Sequence, residues 1–187
     1  MKIFALFFLL IGSALGADAP SGNVLQNGDF SDGLTHWDGD CRPLSVALND
    51  APPGNGAAVE LLGTWTKMTQ NFDSKKGHYL INVTFTITPN TTFATEEKDY
   101  RKIPKKLSFT ALKEFGLQRG EWCIIVTNLA AHRYVHCAVK PEKEDSSVQT
   151  MTGEINLERD SDGDTFCLAF PPGHGVVTIQ SVSLTRN

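Results

Sequence analysis

The sequence predicts an all-β protein built as an antiparallel β-sandwich. Ten short runs rich in β-branched and aromatic residues follow one another, and clusters of Gly, Pro, Asn and Asp separate them. Several runs alternate apolar and polar residues, and no long stretch has the periodicity of an amphipathic helix. Regular short strands with Gly/Pro turns favour a sandwich of antiparallel sheets. The predicted strands are residues 23–30, 44–48, 57–62, 66–72, 79–88, 121–127, 134–140, 149–157, 165–170 and 176–185.

Two of these runs show how the pattern assigns faces. In residues 79–87 the odd-numbered positions are all apolar, from Tyr79 to Ile87, so one side of this strand is expected to face a core. The last run changes phase near Gln180 and Ser181. An extra residue at that point predicts a β-bulge.

Composition and charge restrict the class of protein. The chain has 187 residues, of which 41% are hydrophobic and 20% charged, and this ordinary globular composition fits one domain. Its 17 basic and 21 acidic residues give a formal net charge of −4. Domains that bind nucleic acid usually carry a basic balance or patch, so we expect no nucleic-acid partner.

The N-terminal residues have the pattern of a secretory signal. Lys2 supplies a positive charge, residues 3–11 are all apolar, and small residues follow between Gly12 and Ala17. The apolar run is shorter than the roughly 20 residues that span a bilayer, and it has the length of a signal-peptide core. We therefore expect residues 1–16 to be a signal peptide and residues 17–187 one exported domain, extracellular or periplasmic, without a membrane span. An uncleaved N-terminal anchor is the alternative.

One stretch, at about residues 95–120, interrupts the strand pattern as an insertion. It mixes seven basic with four acidic side chains. A strand over residues 107–111 and a single helical turn over residues 111–115 both fit its pattern, which leaves the two open. The basic side chains suit either an acidic glycan or a solvated face.

Four cysteines in an exported chain favour two disulfide bonds. The runs at residues 121–127 and 134–140 predict a hairpin, and a turn centred on Ala130 places Cys123 opposite Cys137. Opposed Cβ atoms of this kind lie about 4.5–5.5 Å apart, which a disulfide can bridge with some adjustment. We therefore predict the pairs Cys123–Cys137 and Cys41–Cys167. Buried free thiols are the alternative, and zinc is not expected because no CxxC spacing is present.

The opening of the exported chain carries a family pattern. Residues 23–37 read NVLQNGDFSDGLTHW, residues 77–85 read GHYLINVTF, and residues 177–184 read VTIQSVSL. In this order they resemble the opening, a central and the closing strand of galactose-binding-like jelly-roll carbohydrate-binding modules. The resemblance implies a jelly-roll β-sandwich in which the first and last strands lie side by side and Phe30 and Trp37 fill the core.

The same resemblance bears on metal binding. Many members hold a structural Ca²⁺ with an acidic residue after the Phe and with the Asp of the closing strand, but here Ser31 and Gln180 stand at those positions. Ca²⁺ takes several oxygen ligands, carboxylates among them. No cofactor is therefore expected, and a structural calcium would require Asp29, Asp32 or Glu60 to replace the missing carboxylates.

Carbohydrate binding is the function that the resemblance implies. A sugar site needs an aromatic platform beside hydrogen-bonding side chains. Trp65 follows a turn between two strands and is the best platform, whereas Trp122 fits an exposed and a buried position equally. Tyr134 is a further aromatic candidate, and Gln70 and Asn128 are the polar partners. For each of these side chains, packing within the sheets is the alternative.

No catalytic pattern is present, because the sequence lacks G-x-S-x-G and H-E-x-x-H. His132 and His136 would lie about 13 Å apart on a strand, too far to share a metal ion. We expect a secreted, non-catalytic carbohydrate-binding protein with a polysaccharide or glycan as partner. The alternative is a secreted structural or protein-interaction domain without a sugar site. The tripeptides that begin at Asn82 and Asn90 are N-glycosylation acceptors where the host glycosylates.

Overall fold

The computed structural model describes residues 22–44, 55–63, 65–93, 121–142 and 146–187. The predicted signal peptide, the insertion and most of the predicted strand 44–48 lie outside these ranges, in which no helix is long and apolar enough to cross a membrane. The described strands are β1 (Asp38–Gly39), β2 (Cys41–Pro43), β3 (Ala57–Leu62), β4 (Thr66–Ser74), β5 (Gly77–Ile87), β6 (Thr92–Phe93), β7 (Trp122–Asn128), β8 (Arg133–Val139), β9 (Gln149–Leu157), β10 (Ser161–Phe170) and β11 (Gly173–Arg186).

These strands form two antiparallel sheets that face each other across one core. The five-stranded sheet has the order β1-β4-β10-β7-β8, and the six-stranded sheet has the order β2-β3-β11-β5-β9 with β6 beside β11. The chain passes between the sheets at residues 38–43, because Asp38 pairs with Thr69 of β4 and Cys41 pairs with Val59 of β3. The architecture confirms the predicted jelly-roll sandwich.

The alternation seen in the sequence builds the core. In β5 the odd-numbered residues from Tyr79 to Ile87 are all buried, as predicted, and they face the other sheet. The predicted bulge in β11 is also present, because its register with β5 shifts between Ile179 and Ser181. The two-residue alternation in the sequence therefore identified the buried face of β5, and the change of phase in the last run located the bulge in β11.

The first predicted strand, residues 23–30, is wrong in extent. Only Asn23 forms a β-bridge, to Thr185 of β11, and this bridge still places the first segment beside the last strand. Asn27 and Phe30 then have φ angles of 48° and 56°, which turn the chain out of the β region. Phe30 and Trp37 are buried as predicted, with ring centroids 5.4 Å apart.

The β7–β8 hairpin differs by one residue from the predicted register. Cys123 lies opposite Ala138, and Cys137 lies opposite Ile124. The loop between the strands has four residues, 129–132, where the prediction assumed an odd number. Because side chains alternate between faces, the shift by one residue moves Cys123 and Cys137 to opposite faces of the sheet.

All four cysteines are free thiols, so both predicted disulfide pairings are wrong in this structure. Cys137 faces the core, where a Cβ atom added to Gly153 would lie 2.8 Å from its sulfur. Cys123 lies between two core-facing residues of β7 and points the other way. Cys41 belongs to the six-stranded sheet, whereas Cys167 belongs to the five-stranded sheet and alternates with core-facing residues of β10, so it faces away from Cys41.

Candidate functional site

One end of the sandwich carries polar side chains at positions that face inward. Ser74, Asn128, Arg133 and Asp164 are all buried there, and we call these four residues the polar end layer. The register explains the grouping, because Asp164 pairs with Phe72 of β4 while Asn128 pairs with Arg133 of β8. The pleat of the five-stranded sheet therefore directs all four side chains toward the six-stranded sheet.

Hydrogen bonds join three residues of the polar end layer, Ser74, Arg133 and Asp164, into one network. The Arg133 guanidinium donates to the carboxylate of Asp164 and, at 2.7 Å, to the hydroxyl of Ser74. The Ser74 hydroxyl donates in turn to the same carboxylate at 2.6 Å. A further bond from Arg133 reaches the backbone carbonyl of Arg159. Buried polar groups need such partners, so the network fixes the start of β8 and the connection between β9 and β10.

Beside the polar end layer lies a surface groove of about 480 Å³, which is within the size range of ligand pockets. Tyr134, on the edge strand β8 and 46% exposed, contributes an aromatic ring. Asn156, near the end of β9, lines the groove with Glu158 and Arg159, which follow it. His132, in the loop before β8, and Arg133 and Val135 of β8 complete the lining. We call this feature, defined by these seven residues, the Tyr134 groove.

The Tyr134 groove combines an aromatic ring with side chains that donate and accept hydrogen bonds. The ring centroids of Tyr134 and His136 lie 5.7 Å apart. The Arg159 guanidinium is oriented by a hydrogen bond that it donates to the carbonyl of Ala131. A flat aromatic ring can cover the C–H face of a pyranose, while amide, carboxylate and guanidinium groups can bind its hydroxyls. The groove therefore holds the kinds of group that a sugar site requires.

The two amides predicted to bind sugar are occupied within the fold. Gln70 is buried and exchanges two hydrogen bonds with the backbone of Gln26, at 2.6 and 2.8 Å. Asn128 is buried as well, and its amide donates to Ser161 and to the carbonyl of Asp162. Its side-chain oxygen accepts a hydrogen bond from the backbone N–H of Ala131, in the β7–β8 loop, at 3.0 Å. Since their hydrogen-bonding atoms face inward, neither amide lies on an open surface.

Trp122 takes the buried one of its two predicted positions. Its side chain is 0% exposed, and its ring centroid lies 4.7 Å from those of both Phe85 and Phe170. Aromatic packing of this kind contributes to core stability. Trp122 is therefore a core residue, which corrects its candidacy as a sugar platform.

Trp65 and Tyr134 retain exposed surface, but the fold keeps them apart. Trp65 is half-buried immediately before β4, and its indole N–H is buried without a hydrogen-bond partner. Tyr134 is in register, through Thr127 and Thr165, with Asn71 of β4. Six residues separate Asn71 from Trp65, a distance of about 20 Å along the strand. The two aromatic candidates therefore do not belong to one site.

Sequence reasoning missed Asn156, Glu158 and Arg159 as companions of Tyr134. No local pattern marks them, because they lie far along the chain from β8. The contact between the edge strands β8 and β9, one from each sheet, brings them together. The one signal in the sequence was Tyr134 itself, an aromatic residue in the predicted hairpin.

The buried thiols have raised pKa values. Burial, with Cys137 and Cys167 nearby, raises the pKa of Cys123 to about 12. Burial also raises the pKa values of Cys137 and Cys167 to about 11. The thiolate is the nucleophilic form of cysteine, so these three thiols are poor nucleophiles at neutral pH.

The acidic residues considered for calcium do not converge. Among the described residues, no three His, Cys, Asp or Glu side chains form a group that could hold a metal ion. The Asp29 carboxylate accepts hydrogen bonds from the backbone and hydroxyl of Ser31, and the Glu60 carboxylate pairs with the Arg42 guanidinium. Both carboxylates therefore already have hydrogen-bonding partners within the fold.

Comparison with solved structures finds the same fold in carbohydrate-binding modules. The structure "Family 16 Carbohydrate Binding Module-2" matches 87% of the chain and 99% of its own, with a TM-score of 0.53 and 13% identity. The CBM22-1–GH10 modules of Clostridium thermocellum endo-1,4-β-D-xylanase 10B, complexed with xylohexaose, match 89% of the chain and 29% of their own, with a TM-score of 0.55 and 8% identity. An arabinose-bound GH51 α-L-arabinofuranosidase matches 88% of the chain and 26% of its own, with a TM-score of 0.58 and 10% identity.

The chain thus spans less than a third of the two enzyme structures and nearly the whole of the module. These similarities show the fold, the jelly-roll β-sandwich that carbohydrate-binding modules share. No protein-family model matches the chain, and no curated protein matches it significantly.

Proposed function

We propose that the protein is a secreted, non-catalytic carbohydrate-binding domain that holds a glycan in the Tyr134 groove. One observation carries the proposal: Tyr134, whose side chain is exposed, lines one groove together with Asn156, Glu158 and Arg159. The fold shared with carbohydrate-binding modules supports it, and the signal-peptide pattern of residues 1–16 supports export. Ring packing and hydrogen bonding require no cofactor.

Four residues of the groove each make a different kind of contact with the glycan. The Tyr134 ring covers the C–H face of a sugar unit, Asn156 both donates and accepts hydrogen bonds, Glu158 accepts, and Arg159 donates. The polar end layer fixes the start of β8 and the backbone of Arg159 before the ligand arrives. A preorganised site loses less conformational freedom on binding, which strengthens affinity.

Glycan-array screening followed by isothermal titration calorimetry tests the site. Tyr134→Ala is expected to weaken binding at least about tenfold, which is about 1.4 kcal/mol, because the ring is lost. Tyr134→Phe keeps the ring and most of the affinity. Leu129→Ala is the matched control, since Leu129 is 88% exposed in the loop before β8 and leaves the groove intact. Undiminished glycan binding by Tyr134→Ala would show that the Tyr134 groove is not the glycan-binding site.

Trp65, the aromatic platform that the sequence predicted, is tested by a second variant in the same binding experiment. Trp65→Ala is expected to leave glycan affinity unchanged, because about 20 Å of strand separates it from the groove. A loss with Trp65→Ala but not with Tyr134→Ala would move the site to the other end of the five-stranded sheet. Incubation of the protein with the glycan that it binds checks the absence of catalysis, since no reducing ends should appear.

The second candidate function is a secreted structural or protein-interaction domain that retains the fold without a sugar site. The observation that favours it is the internal use of Trp122, Gln70 and Asn128. The array discriminates between the two classes. Binding of a defined glycan that Tyr134→Ala abolishes supports the first class, and an array without any bound glycan supports the second.

A further inference from the structure

The turn between β5 and β6 presents an asparagine to solvent within an Asn-x-Thr tripeptide. Asn90 is exposed and has a φ angle of 67°. The next residue, Thr91, is buried, and its hydroxyl donates to the carbonyl of Val176 at 3.2 Å. Its backbone N–H donates to the carbonyl of Thr88 at 3.1 Å. The buried threonine thus anchors the turn, while Asn90 stays at its surface.

We propose that Asn90 is the preferred N-glycosylation site of this chain in a eukaryotic secretory pathway. The tripeptide Asn90-Thr91-Thr92 is an acceptor for N-linked oligosaccharide. The co-reactant is a lipid-linked oligosaccharide pyrophosphate. A bond forms between the Asn90 amide nitrogen and C1 of the first sugar, the C1–O bond to pyrophosphate breaks with its electron pair on oxygen, and one amide proton is lost.

The second acceptor tripeptide, at Asn82, has a different environment. Asn82 lies in the middle of β5, in register with Thr152 of β9 on one side and Ser183 of β11 on the other. Its side-chain oxygen accepts a hydrogen bond from the Thr152 hydroxyl at 3.2 Å. A glycan there would have to lie across the six-stranded sheet and break this bond, whereas a glycan on Asn90 extends from a turn.

A glycan on Asn90 would leave the Tyr134 groove open. Asn156 of the groove pairs with His78 at the start of β5, and Asn90 follows the far end of the same strand at Ile87. Nine residues of strand correspond to about 30 Å. The modification is therefore compatible with glycan binding, and it rests on the proposed secretion but not on the proposed sugar site.

Expression of the full chain in a eukaryotic secretory host, with its own leader and with a replacement leader, tests the proposal. Digestion with peptide N-glycosidase should shorten the wild-type chain on a gel, and peptide mass spectrometry should find higher occupancy at Asn90 than at Asn82. Asn90→Gln and Thr92→Val should each remove the Asn90 glycan, while Asn82→Gln should not.

Two results distinguish failure of the proposed secretion from failure of the proposed glycosylation site. Retention of the chain in cells with its own leader, but not with the replacement, contradicts the proposed secretion and still leaves Asn90 measurable. An unmodified Asn90 in the exported chain, or higher occupancy at Asn82, overturns the proposed site. Glycan affinity is expected to be the same for wild type and Thr92→Val, so loss of sugar binding would be a separate result.

Discussion

The guanidinium of Arg133 on β8 donates a hydrogen bond to the carboxylate of Asp164 on β10, two strands away in the five-stranded sheet. Their side chains are 5% and 0% exposed. A buried ion pair adds little net stability over apolar residues, because both charges lose their hydration. Removal of one partner, however, leaves the other charge buried without compensation.

Arg133→Met is therefore expected to lower the free energy of unfolding by about 3–5 kcal/mol. Urea denaturation of wild type and variant measures the change. The double variant Arg133→Met with Asp164→Leu should lose less stability than Arg133→Met alone, because no charge then remains buried. The exposed pair Lys75–Asp160 is the matched control, and Lys75→Met should change stability little.

A loss below about 1 kcal/mol for Arg133→Met, the level of an exposed pair, would contradict the buried network. A double variant that is less stable than both single variants would contradict it as well. Either result would mean that the network does not hold the start of β8 in place beside the Tyr134 groove.

The strands were predictable because their period is local. In β5 each alternate residue from Tyr79 to Ile87 is apolar, and this pattern alone decides which face is buried. The hairpin register was not predictable in the same way, because it depends on the number of loop residues. The sequence pattern admits turns centred on or beside Ala130, and a difference of one residue separates Cys123 from Cys137.

Gln70→Leu is expected to lower stability by about 1–3 kcal/mol, since two backbone groups of Gln26 would lose their partner. The same variant should leave glycan affinity unchanged, because Gln70 is buried away from the Tyr134 groove. Urea denaturation and calorimetric titration read the two effects separately. Gln70→Glu, which keeps the acceptor and loses the donor, is the conservative control, and a loss of affinity without a loss of stability would contradict the structural role.

The site was harder to predict than the fold, because a polar side chain can either bind a ligand or form hydrogen bonds within the fold. Gln70 and Asn128 have the chemistry of sugar ligands, but the fold uses both of them to fasten loops and the N-terminal segment. Tyr134, predicted only as a further aromatic candidate, is exposed and lines the groove. Its companions, Asn156 and Arg159, reach it through contact between the two sheets, which no single strand encodes.

Chelation of divalent cations is expected to leave the thermal midpoint unchanged, because Asn27 fastens the N-terminal loop without a metal. Its amide donates to the carbonyls of Gly33 and Thr35 at 3.1 and 3.0 Å, and its side-chain oxygen accepts the Asp32 N–H at 3.0 Å. Asn27→Ala should lower stability by about 1–3 kcal/mol, through lost hydrogen bonds and a left-handed backbone conformation that Ala disfavours.

Differential scanning calorimetry with a chelator, and with added calcium, measures the thermal midpoint of both proteins. Asn27→Gly separates the two contributions, since Gly tolerates the positive φ angle but lacks the amide. A midpoint that rises on addition of calcium to the wild-type protein would show that carboxylates do meet around an ion.

Alkaline pH is expected to destabilise the reduced protein through its buried thiols. The folded-state pKa values, about 12 for Cys123 and about 11 for Cys137 and Cys167, lie above the ordinary value of 9.0. Above pH 9.0 the unfolded chain releases thiol protons that the folded chain retains, so the thiol contribution to stability is full below that pH. It is lost as the pH rises toward about 11–12.

Urea denaturation across this pH window measures the slope, and Cys123→Val should flatten it because one titrating group is removed. Native-state alkylation with iodoacetamide is the independent measurement. At neutral pH the three thiols should react slowly in the folded protein and rapidly after unfolding, because only the thiolate is nucleophilic. Rapid alkylation of Cys123 in the folded state would contradict its burial and its raised pKa together.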